Sequence, residues 1–196
     1  MMKQGWLIGL ICMLAAGCAG APKHDRPPAA SFEGKLSEVV VPADVLGGGW
    51  TLEKGLVVDD VSDPPKVSPL RKAWADRFFK QRQAYGVRSY GEFFYYNTET
   101  PPVKISTLIL VYQNARRART EWDDTYGPGL LLIEHRRTNE FGDKSVQGKK
   151  INERVVLAGN VVIQVSQPVP GDSNVKVLKA WMSRLGLDQP STQPAR

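Results

Sequence analysis

Apolar positions recur along this chain with two periods, one near 3.6 residues and one of 2, and their order lays out the elements. Gly47-Gly48-Gly49 opens a short strand or hairpin over Trp50–Val58. Ser68-Pro69 then starts a helix, with Ser as the N-cap and Pro at the first helical position. Leu70, Trp74, Phe78 and Tyr85 follow at helical spacing, which predicts the buried stripe of that helix, and Gly86 ends it. An aromatic strand, Gly91–Asn97, comes next. The run Val103–Gln113 is apolar on both faces and reads as a central strand. Asn114 caps a second helix whose apolar side is Ala115, Ala118, Trp122 and Tyr126. Leu130–His135 fits a strand or a helix equally. After a turn at Phe141-Gly142-Asp143 come strands near Glu153–Leu157 and Val161–Ser166. Gly159-Asn160 joins them with a two-residue hairpin signal. A last helix over Ser173–Leu185 packs through Val175, Leu178, Trp181, Met182 and Leu185, and Gly186 caps it. Short turns between successive strands predict an α+β fold: one antiparallel sheet with about three helices packed on it.

The ends carry no such period. Residues 1–17 hold one charge, Lys3, ahead of an apolar run from Trp6 to Ala16. That run suits the h-region of a signal peptide and is short for a bilayer span, which takes about 20 residues. Residues 18–37 are rich in Ala and Pro and read as a flexible tether. Residues 188–196 read as a frayed tail. One folded domain over 38–187 remains, large enough to bury a core. The 196-residue chain is 42% hydrophobic and 23% charged, ordinary for a globular protein, so wholesale disorder is excluded.

Leu14-Ala15-Ala16-Gly17-Cys18 resembles the lipobox of a bacterial lipoprotein precursor, with Ala15 where Leu is usual. The resemblance implies cleavage before Cys18, a diacylglycerol thioether on its sulfur and a fatty acyl chain such as palmitate on the new amine. It implies a membrane partner through that anchor. Ala19, rather than Asp, favours the outer membrane facing the periplasm where the source has one. A plain cleaved signal peptide is the alternative. In the lipoprotein reading Cys12 leaves with the leader and Cys18 carries lipid. No thiol then remains for a nucleophile, a zinc site or a disulfide. Losing Lys3 takes the formal charge from +6 to +5.

The body's order is similar to the α/β/α sandwich of PsbP-like and Mog1-like proteins and of small lipoproteins of unknown function. An aliphatic strand, a helix bearing a Trp, the Gly142-Asp143 turn, the Gly159-Asn160 hairpin and a C-terminal helix carry that likeness. It implies a binding or assembly factor and no particular activity.

The residues offer little catalytic chemistry. There is no G-x-S-x-G elbow, HExxH or phosphate-loop pattern, and Gly47-Gly48-Gly49 leads into Trp50 rather than Lys-Ser. His24 falls in the tether. His135 reads as a surface or boundary residue, with a catalytic base as the alternative, and one His without a second ligand makes no zinc site. Asp59-Asp60 and Asp123-Asp124 are neighbours whose side chains diverge, which reads as solvated charge. No cofactor or metal is expected, and no enzyme.

Charge offers one lead. Arg71, Lys72, Arg77, Lys80 and Arg82 share the first helix with one acid, Asp76. Phe79 falls among them, away from the apolar stripe. Left uncovered, Arg71, Lys72, Phe79, Lys80 and Arg82 would touch an anionic surface; under another layer, Phe79 is core and the cations only solvate the helix. The expected function is a non-catalytic envelope lipoprotein, a binding or assembly module. Its partner would be an anionic envelope polymer, a lipid or a protein, and not nucleic acid. The alternatives are an envelope hydrolase with dispersed carboxylates, or a small-ligand carrier with Phe93-Phe94-Tyr95-Tyr96 lining a pocket. Alternation would instead send those four rings to opposite faces of the sheet.

Overall fold

The computed structural model describes residues 29–66, 68–98, 102–127, 135–138, 140–149 and 152–188. Among these residues, two antiparallel meanders build one seven-stranded sheet. The first is β1 (Trp50–Val58), β2 (Val87–Asn97) and β3 (Val103–Tyr112). The second is β4 (His135–Arg137), β5 (Lys144–Gly148), β6 (Asn152–Ala158) and β7 (Val161–Gln167). They join where β7 lies antiparallel to β3, giving the order β1-β2-β3-β7-β6-β5-β4. Three α-helices among the described residues complete the α+β domain: α1 (Pro69–Ala84), α2 (Ala115–Tyr126) and α3 (Ser173–Arg184). The antiparallel sheet and the three helices are those expected from the pattern.

Strand alternation splits the interior into two cores. One face gathers Phe93, Tyr95, Ile105, Ile109, Val156 and Ile163 under α3, whose Val177, Leu178 and Trp181 are wholly buried. The opposite face gathers Tyr90, Leu110, Tyr112, Val155, Leu157 and Val162 under α1 and α2. The aromatic strand divides as alternation dictates: Phe93 and Tyr95 are core, while Phe94 and Tyr96 are half-buried on the other side. The Asn114 side chain accepts from the Arg117 amide at 2.9 Å and so caps α2.

The stretch Ala29–Val41 is not tether. It is a strap laid along the sheet, with Leu36 and Val41 completely buried and Phe32 nearly so. Asn160, itself fully buried, holds it: its side chain accepts from the Phe32 amide at 2.7 Å and donates to the carbonyls of Phe32 and Tyr112, both at 3.0 Å. Asp143 accepts from the Ala29 amide at 2.7 Å and the Gly159 amide at 2.9 Å. The folded body therefore begins at least nine residues before the expected boundary at 38. Sparse apolar residues in a Pro- and Ala-rich stretch conceal a segment that supplies only two or three side chains to a core built by others.

The face of α1 is also turned from expectation. Ala75 and Phe79 are buried, at 3% and 2% exposure, while Leu70 is 97% and Trp74 56% exposed. This helix carries apolar side chains in two sectors, one around Leu70 and Trp74 and one around Ala75 and Phe79. The sheet takes the sector where small Ala75 permits close approach and Phe79 fits beside Val58, Val61 and Tyr90.

One edge of the sheet is irregular: the pairing of β1 with β2 shifts between Lys54 and Val57, around Gly55.

Candidate functional site

Helices α1 and α2 stand apart on their common face and leave a cleft of about 280 Å³ between them. Its walls are Arg82 from α1, Tyr85 just past the end of that helix, and Glu121, Trp122, Thr125 and Tyr126 from α2. Its floor is the sheet, through Leu108, Leu110, Tyr112, Val162 and Gln164. The period of α2 dictates its wall: with Ala118 and Trp122 buried in the sheet, Glu121 and Thr125 are left on the flank.

Arg82 is held by rings. Its guanidinium lies 5.1 Å from the centroid of Phe78 and 5.8 Å from that of Tyr90. Phe78 packs edge-on against Tyr90 and stacks on Trp74. Opposite it, burial pushes the Glu121 carboxyl up, and the charge of Asp124 adds to this; Arg117 and Arg82 oppose it. Tyr112 is pushed up to about 12 by burial and then by Glu121. Tyr126 is also pushed up to about 12, by burial and then by Glu153. Both phenols are thus neutral hydrogen-bonding groups at ordinary pH. The cleft combines an apolar floor, aromatic walls, one cation and one carboxyl whose charged form burial disfavours. That set suits binding of a small group with an apolar body and polar atoms at its edge.

A buried polar chain lies beside it. His135 Nε2 is 2.8 Å from Glu153 Oε2, with side-chain exposures of 17% and 8%. The other Glu153 oxygen accepts from the Gln164 amide, which reaches the cleft floor. The His135 ring packs edge-on to Tyr126. The boundary position expected of His135 is where it sits, but its partner Glu153 could not be read from the sequence. The two are eighteen residues apart, and the sheet brings β4 and β6 to either side of β5.

Of the residues singled out for an anionic surface, Arg71, Lys72 and Lys80 are exposed, Arg82 is half-buried against its rings, and Phe79 is core. The surface role of Phe79 is therefore corrected: Trp74 and Leu70 hold the exposed apolar positions instead. Three of the paired Asp carboxylates are engaged by neighbouring groups. Asp59 accepts from the amide and hydroxyl of Ser37, Asp60 from those of Ser62, and Asp123 from Lys144. Cys18, His24 and the segment 130–134 lie outside the described residues. Among the described residues no three His, Cys, Asp or Glu side chains group as a metal site. No helix among them is long and apolar enough to cross a membrane. No protein-family model matches the chain, and no curated protein matches it.

Proposed function

We propose that this protein is a lipid-anchored binding module of the bacterial envelope, without catalytic activity, that takes its ligand in the α1–α2 cleft. The observation that carries the binding role is the cleft itself, with its apolar floor at Leu108 and Leu110 and the opposed Arg82 and Glu121. The anchor rests on the Leu14–Cys18 pattern. A ligand of the size of one ring, or the aromatic or amphipathic side chain of a protein partner, fits a space of about 280 Å³. The fluorescent amine N-phenyl-1-naphthylamine tests the cleft. Saturable binding that Leu108→Glu abolishes and Leu70→Ser leaves intact is expected. Binding that ignores Leu108→Glu would overturn the reading. Intact mass of membrane-extracted protein beside a Cys18→Ser variant tests the anchor: a species starting at Cys18 with added acyl mass is expected, and an unmodified chain would remove it.

A further inference from the structure

An exposed Leu and Trp on one helix, ringed by cations, demand a partner that is both apolar and anionic. Leu70 and Trp74 are one turn apart on the outer flank of α1, and Trp74 stacks on Phe78, 5.1 Å between centroids, which fixes its ring. Arg71, Lys72, Arg77 and Lys80 are all exposed on the same helix. The one acid among them, Asp76, is held by Lys72 at 2.7 Å. Placed every 100° round the helix, Arg77 and Lys80 flank Leu70 on one side and Arg71 lies beyond Trp74 on the other. No residue among those described covers this flank to more than the extent that leaves Leu70 97% exposed. A protein groove would bury Leu70 and Trp74 but gain little from four long cationic side chains, which are costly to desolvate. A lipid headgroup layer accepts both at once: apolar side chains enter the acyl boundary while Lys and Arg stay with the phosphates, each cation contributing on the order of 1 kcal/mol near an anionic surface.

We infer that α1 is a membrane-contact helix, which inserts Leu70 and Trp74 into an anionic lipid surface with Arg71, Arg77 and Lys80 on its phosphates. Unlike the cleft, this surface needs no specific ligand, and it stands whether or not Cys18 is acylated. The contact would set the orientation of the domain on the bilayer.

The test uses the full chain with vesicles of phosphatidylglycerol and phosphatidylethanolamine carrying bromines on their acyl chains. Trp74 emission is isolated as the difference between the wild type and Trp74→Phe, so quenching of Trp6 near the N-terminus cancels. Strong quenching of that difference signal is expected, falling at least roughly threefold in neutral phosphatidylcholine or at high salt. An Arg71→Gln, Arg77→Gln, Lys80→Gln triple variant is expected to fall as far while keeping Trp74. An unquenched difference signal would overturn the inference, as would equal quenching in neutral and anionic vesicles. Concentration-dependent dimerisation abolished by Leu70→Ser, with no quenching, would overturn it in favour of a second copy of this chain.

Discussion

Asn160 shows how much one side chain decides in this protein. Its three hydrogen bonds tie the strap to the β6–β7 turn and to the end of β3 with no solvent access. Asn160→Ala leaves the Phe32 amide without its partner and takes one bond each from the Phe32 and Tyr112 carbonyls, of which that of Phe32 keeps Arg88 at 3.1 Å. A loss of about 2 kcal/mol is therefore expected in urea unfolding followed by Trp fluorescence. The residue before it is as constrained. Gly159 has φ +57°, and a Cβ there would stand 2.3 Å from the Ala30 carbonyl oxygen. Gly159→Ala is expected to cost about 2 kcal/mol by the same measurement, and to expose the strap to protease. Asp59 adds a pH dependence. Burial opposes its charge, but the Ser37 hydroxyl and amide, the Leu36 amide and Lys35 outweigh it, and the carboxyl ionises below its ordinary 3.8. The folded state then holds fewer protons than the unfolded chain near that value. The stability from this contact is full above about pH 4 and is lost as pH falls through the depressed folded value. Asp59→Asn is expected to flatten that acid limb of the urea midpoint plotted against pH.

At the scale of elements, α1 separates what periodicity can and cannot tell. The helix, its start at Pro69 and its end before Gly86 all follow from residue types. Its buried side does not, because two apolar sectors compete and the sheet that chooses between them is assembled from distant strands. The outcome is testable by contrast. Phe79→Ala is expected to cost about 3–4 kcal/mol, and Leu70→Ala nothing measurable, in the same denaturation experiment. Reversed costs, with Leu70→Ala the larger, would mean the helix packs on the face its stripe suggests. Elements with one apolar side were legible in part: α3 buries Leu178, Trp181 and Met182 as expected but Val177 in place of Val175, and the short, polar β5 gave no signal. Asn114 capping α2, Trp122 facing the sheet and the β6–β7 hairpin are where local pattern alone puts them. The cleft was not legible. Arg82, Glu121 and Gln164 come from three elements, and only the β3–β7 junction sets α2 opposite α1. The adjacent His135–Glu153 pair is non-local in the same way.

For the whole molecule, the strap redraws where folding begins. Removal of residues 2–28 is expected to leave the urea midpoint unchanged. Removal of 2–37 takes Phe32 and Leu36 from the core at about 1.5–3 kcal/mol each, and is expected to leave a domain that unfolds well below the intact chain. The sheet's β1 margin carries a different consequence. An antiparallel sheet with straight, apolar borders is a template on which further copies polymerise. Here the β1 border is kinked at Lys54–Val57 and bears that Lys. It offers a neighbour no straight ladder of hydrogen bonds. Copies packed side by side at high density therefore meet a broken template along β1, which disfavours their fusing into continuous β-structure through that border.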